Sequence, residues 1–186
     1  MHAVLYGMLS NNDKLIGEAS VTNVSEAGTF GTGTFTFTLT PLTVNTRYNA
    51  RAHATNTYGT GYGARVDFWT LANVPSAPTV DNPTATTLDV TVNANANPDI
   101  TTYAINETST TNFVQADGTL GATAVWQTAA SWGTKTVTGL TTDTEYTFQV
   151  KARNGDNVET AYGATACGIP VVKPLVTTQA TTGILQ

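Results

Sequence analysis

The chain has one cysteine, Cys167, in 186 residues, so no intrachain disulfide can form. An unpaired thiol is most often a small buried apolar side chain, and that is the expectation for Cys167. Charge is also scarce. Asp, Glu, Lys and Arg make up 11% of the chain, against roughly 25% in ordinary soluble domains. The balance is −5, with no basic patch and no stripe of interleaved aromatic and basic residues. Nucleic acid is therefore not expected as a partner. No apolar run reaches the ~18 residues that span a membrane. Met1 is not followed by a basic segment and an apolar stretch, so no signal peptide is visible. Sustained helical periodicity is missing as well, which leaves strands as the expected element.

Catalytic constellations are equally absent. His2 and His53 are the only histidines, and no H-E-x-x-H, C-x-x-C or ordered Ser-His-Asp set occurs. The chain is not expected to be an enzyme. His53 alternates with Ala52 and Ala54, so it should point away from the core. Two loops carry carboxylates that could serve a calcium ion through oxygen ligands: Asp156 and Glu159 in NGDNVE, and Asp81 near a domain join. Ordinary turn-forming Asp and Asn is the competing reading.

What the chain has in abundance is threonine, about a fifth of all residues, well above usual levels. Thr32, Thr34, Thr36, Thr38 and Thr40 alternate with Phe35, Phe37 and Leu39, the pattern of a strand with an apolar inner face. Leu88, Val90 and Val92 alternate in the same way, as do Tyr146, Phe148, Val150 and Ala152. Turn signals separate these runs at Asn97-Pro98-Asp99, Ala116-Asp117-Gly118 and Asn154-Gly155-Asp156. Short strands with frequent turns indicate an all-β sandwich.

One phrase occurs twice. Residues 42–56 read LTVNTRYNARAHATN and residues 140–154 read LTTDTEYTFQVKARN. Leu42, Tyr48 and Asn56 recur as Leu140, Tyr146 and Asn154 at an offset of 98 residues, about the length of one small sandwich. Tandem copies of one module follow. Each Tyr should bury its ring and bond backbone just upstream, while each Leu plugs the corner between two sheets.

The phrase L-T-x-x-T-x-Y-x-x-x-(A/V)-x-A-x-N resembles the closing turn and strand of a fibronectin type III domain. SAPTV at 76–80, TLDVTVN at 87–93 and VTGLTTDTEYTFQVKARN at 137–154 carry the resemblance in the second copy. GTGTFTFTLTPLTVNTRYNARAHATNTYGTGYG at 31–63 is similar to the bacterial variety of the family. The resemblance implies two tandem fibronectin type III-like (immunoglobulin-like) β-sandwiches. The family often has Trp at the end of its second strand, where this chain has Val92; Trp126 or Trp132 is left to fill that space.

The expected division is 1–70 as a first module lacking its opening strand, 71–78 as a proline-stiffened linker, 79–172 as a full module, and 173–186 as the opening strand of a next module. Placing Gln186 before Met1 of another copy makes Thr177, Thr178, Ile184, Leu185, Met1, Ala3 and Leu5 part of one seam, in which Leu185, Met1, Ala3 and Leu5 alternate inward. The expected partners are therefore copies of the chain itself, head to tail. They are linked covalently in a longer array, which is favoured, or by strand addition between separate chains. The expected role is a structural repeat of an extracellular fibre, sheath or cell-surface layer. The alternative is an adhesive or carbohydrate-binding module, with Trp69, Trp126 and Trp132 as a stacking platform for sugar rings.

Overall fold

The computed structural model describes residues 2–9, 21–26, 34, 36 and 38–174. Among the described residues before Thr70 there are four strands: β1 (His2–Leu9), β2 (Val21–Glu26), β3 (Arg47–Asn56) and β4 (Gly59–Trp69). They form one antiparallel sheet in the order β2-β1-β3-β4.

Residues 79–168 build a two-layer sandwich. Its elements are β5 (Thr79–Asp81), β6 (Leu88–Thr91), β7 (Thr102–Glu107), β8 (Phe113–Val114), β9 (Leu120–Gly121), β10 (Gln127–Thr128), the one-turn helix α1 (Ala129–Trp132), β11 (Thr134–Val137), β12 (Tyr146–Arg153) and β13 (Ala166–Gly168). One layer runs β13-β12-β7-β8-β9, with β10 also paired to β7. The other runs β11-β6-β5.

Period-two alternation places the core between the layers. Leu88 and Val90 on β6 meet Phe148, Val150 and Ala152 on β12, with Tyr103 and Ile105 of β7 beside them. Trp132 fills this core from α1 and is 2% exposed, while its indole N–H donates to the Tyr103 carbonyl at 2.9 Å. Of the two candidates for the space beside Val92, Trp132 lies in the core and Trp126 on the flank. The Thr128 hydroxyl caps α1 by accepting the Ser131 N–H.

Glu107 ends β7 fully buried yet fully bonded. Its two carboxylate oxygens accept the N–H and O–H groups of Ser109 and Thr110 at 2.6–3.0 Å. Burial alone would raise its pKa, but these hydrogen bonds outweigh it and hold the carboxyl below the ordinary glutamate value.

Two details differ from the alternation reading. Cys167 is exposed, because β13 turns Ala166 and Gly168 toward the core and leaves the residue between them outside. A Cβ on Gly168 would press on Val80 and Leu88, which marks that position as the inward one. His53 does sit opposite the Tyr48 face, yet it is only 5% exposed. Tyr62 covers it with ring centroids 5.7 Å apart, and the Arg51 guanidinium lies 4.6 Å over the same Tyr62 ring. Burial lowers the His53 pKa.

The two copies of the repeated phrase have like neighbours. β3 and β12 carry the repeated phrase; β4 and β13 flank them on one side, β1 and β7 on the other. β1 therefore stands beside β3 as β7 stands beside β12. It differs in this from β6, which pairs with β5 and β11 and not with β12. In register, Ala3 stands opposite Ala54 and Leu5 opposite Ala52. Met1, Thr177, Thr178, Ile184 and Leu185 lie outside the described residues.

Candidate functional site at the module junction

The two tyrosines of the repeated phrase make the same bond. Tyr48 Oη accepts the Thr43 N–H at 2.9 Å, and Tyr146 Oη accepts the Thr141 N–H at 3.0 Å. Each bond folds the preceding turn back on its own strand. The residue at the tip of that turn takes a positive φ in both copies of the phrase, +39° at Asn45 and +57° at Asp143. Asn and Asp tolerate this region better than other side chains. Each tip is then tied to the chain just past the strand that flanks it: Asn45 N–H donates to the Leu71 carbonyl at 3.0 Å, after β4, and Asp143 N–H to the Pro170 carbonyl at 2.8 Å, after β13. The leucines of the motif part company. Leu140 is 4% exposed, whereas Leu42, expected to plug the same corner, is 36% exposed. Leu140 N–H is held by the Thr86 carbonyl, just before β6. No strand equivalent to β6 faces Leu42 among the described residues.

From the first turn the Asn45 side chain enters the second module. Its Nδ2 donates to Thr101 Oγ1 at 2.7 Å, and its Oδ1 accepts the Gly155 N–H at 3.0 Å. Asn45 is 2% exposed and Thr101 is fully buried. Asn154 answers in the other direction, donating from Nδ2 to the Thr70 carbonyl at 3.1 Å. Its Oδ1 accepts from Asp156 and Val158 and so shapes the loop. Asp156 accepts the Trp69 N–H, and the Trp69 indole packs on Gly155 so closely that a Cβ there would overlap the ring. A buried polar contact of this kind is costly unless complete. Here every side-chain group of Asn45 and Asn154 has a partner.

The linker is fixed by a device that single-residue reading misses. Asn93, Asn95 and Asn97 in the run VNANANP donate from Nδ2 to the carbonyls of Ala77, Val74 and Asn73 at 2.6, 2.8 and 2.9 Å. Asn97 Oδ1 also accepts the Asn73 N–H, and Ser76 N–H reaches the Asn93 carbonyl. Ala72 is already part of the second core. Alternation does not account for it, because Asn95 and Ala96 both take positive φ, +53° and +58°, and the chain turns between Asn93 and Asn97.

The three tryptophans do not share a platform. Trp69 is at the junction and Trp132 in the core, while Trp126 sits on the outer face of β12 with Arg153 Cζ 4.5 Å and Lys151 Nζ 5.4 Å from its ring. Lys151 also approaches Phe113 and Tyr162 and pairs with Glu159. Glu159 is thus engaged with Lys151, and Asp156 with Trp69. Among the described residues no three His, Cys, Asp or Glu side chains gather as a metal site, and no helix is long and apolar enough to cross a membrane.

Comparison with known proteins gives a family for one stretch of the chain. No curated protein matches the sequence. The crystal structure of the chicken CNTN1 FN1-FN3 domains is 14% identical with a TM-score of 0.40, over 91% of this chain and 56% of that one. This chain therefore spans little more than half of that structure. Domains d3-d4 of the rat CD45 extracellular region are 18% identical with a TM-score of 0.39, over 86% of this chain and 82% of that one. A family model, fibronectin type III domain, matches from Asn73 in the clamped linker to the end of the Gly155 loop and beyond, and residues 73–164 of this chain are a fibronectin type III domain.

Proposed function

We propose that the chain is a non-catalytic structural unit of an extracellular fibre, sheath or surface layer, joined head to tail with copies of itself. Fibronectin type III modules generally serve as binding or scaffolding units. One observation carries the reading: the same strand is closed in one module and open in the other. On β12, Phe148, Val150 and Ala152 are fully buried. Their counterparts on β3 are Ala50, Ala52 and Ala54; Ala52 is exposed and the other two are half-buried. Val66, opposite Ala50 on β4, is 62% exposed. Covering one valine is worth about 1.5–3 kcal/mol, so this face favours a second layer. Segment 173–186 of a neighbouring copy, including Thr177, Thr178, Ile184 and Leu185, is the proposed contribution to that layer. Because β1 already sits where β7 sits, the added strand belongs to the facing sheet. Covalent continuation and strand addition between chains both satisfy this arrangement.

Weighing the denatured native material separates the two. Masses at multiples of the 186-residue unit mean a covalent array, and a discrete 19.5 kDa species means strand addition. A 19.5 kDa species whose purified chain stays monomeric in sedimentation at all accessible concentrations overturns the proposal.

A second reading, an adhesive or carbohydrate-binding module, has the Trp126, Lys151, Arg153 and Tyr162 face in its favour. Binding on a glycan array that disappears in Trp126→Ala would select it. Against it, Arg153 already occupies one face of the indole.

A further inference from the structure

We infer that the far end of the second module, built from Asp143 and Ile169, is a docking surface for the β3–β4 turn of a second copy of this chain. The inference rests on the head-to-tail reading and gives it a contact. The occupant is known because the chain already contains the same contact once, at its own junction.

The equivalences are fixed by pairing and by hydrogen bonds. Asp143 stands where Asn45 stands: each has a positive φ, follows a tyrosine-bonded turn and donates its N–H to the departing chain. Tyr48 pairs with Phe68 and Tyr146 with Gly168, so Ile169 holds the position of Trp69. On the receiving side, Asn56 stands where Asn154 stands. Asn56 Oδ1 accepts the N–H groups of Tyr58 and Gly59, as Asn154 Oδ1 accepts those of Asp156 and Val158. Thr57 is then the counterpart of Gly155.

The inner member of each pair is covered, and the outer member is open. Asn154 is 4% exposed and Asn45 2%, whereas Asn56 and Asp143 are both exposed. Ile169 is 44% exposed beside Val172 at 68%, an apolar rim around a turn whose twin is buried. The Thr57 N–H has no partner among the described residues, while the Gly155 N–H is taken by Asn45. Stacking a second copy end to end brings an acceptor on Asp143 to that donor and Ile169 to the turn that carries it. One surface meets a different surface, so the contact is heterologous and does not close on itself.

Disulfide trapping tests this on the full chain with Cys167→Ser as background. One population carries Ile169→Cys and the other Thr57→Cys, with one of them isotope-labelled. The expected product is the mixed 169–57 dimer in large excess over either homodimer. Adding Asp143→Lys to the first population abolishes it, and Asp143→Asn, which restores both hydrogen-bonding roles of Asn45, increases it several-fold. Melting curves of the variants confirm that the second module remains folded. Statistical or purely symmetric dimers, or trapping indifferent to Asp143→Lys, overturn the inference. Thr178→Pro, placed in the proposed strand, distinguishes the two ideas. Trapping that survives it supports end docking independently of strand completion. Trapping lost with it means the ends meet only as a by-product of the added strand, which overturns end docking and leaves the structural-unit reading standing.

Discussion

Asn45 and Gly155 lie 110 residues apart and are joined by one hydrogen bond of 3.0 Å, from the glycine N–H to the asparagine side chain. The bond crosses from the turn before β3 to the loop after β12. The Asn45 amide is satisfied on both sides, so its geometry fixes rotation as well as distance.

Asn45→Ala should remove both bonds and leave the Gly155 N–H and the Thr101 hydroxyl without their partner. A buried group orphaned in this way costs about 1–3 kcal/mol. The loss is expected at the junction and not in the second core. In 15N relaxation the wild-type modules should tumble with one correlation time and the variant with two.

Gly155→Ala should act from the other side. The new methyl collides with the Trp69 indole, which must leave its seat. Indole fluorescence should shift toward that of a solvated ring, and Trp69→Ala in the same chain should relieve the clash. If the double variant is no better ordered at the junction than Gly155→Ala alone, the collision is not the cause.

Replacing either corner tyrosine with phenylalanine should cost unequal amounts. At Tyr48, which is buried, Phe should cost about 1–2 kcal/mol, because Thr43 N–H loses a shielded partner. At Tyr146 the bond is at the surface, water can replace the hydroxyl, and the cost should be about 0.5–1 kcal/mol. Urea midpoints of the two modules provide the comparison.

Glu107 should make the second module acid-sensitive. Its folded pKa is depressed, so between that value and the ordinary glutamate value the unfolded chain binds more protons. The stabilisation is complete above the unfolded pKa and disappears as pH falls through the folded one. Glu107→Gln should therefore lower the denaturation midpoint at neutral pH and flatten its decline in acid. Parallel profiles for the two proteins would remove Glu107 as the cause.

Much of this architecture was readable because it is local. The phrase around Tyr48 and Tyr146 specifies a turn, a strand and the bond between them within seven residues, so it survives without tertiary information. The facing of Leu88, Val90, Phe148 and Val150 follows from period two alone. Strand order is another matter. Alternation states that Ala3 and Leu5 share a side but not which neighbours their strand takes; β2 and β3 on its two edges come from the fold. His53 was assigned its side but not its environment, since Tyr62 comes from a different strand. Asn93 read as part of a strand and Asn97 as part of a turn, with Asn95 between them. Only their joint address, a proline segment some 20 residues upstream, shows them as a clamp.

The Asn154-Gly155 dipeptide is the only Asn-Gly pair in the chain. It is the sequence most prone to spontaneous loss of ammonia, in which the glycine nitrogen attacks the neighbouring amide carbon to form a cyclic imide. Here that nitrogen is hydrogen-bonded to Asn45, and the amide it would attack is pinned at both ends. The contact that aligns the modules therefore also slows their chemical ageing, and material that has worked loose between them will be the first to carry isoaspartate.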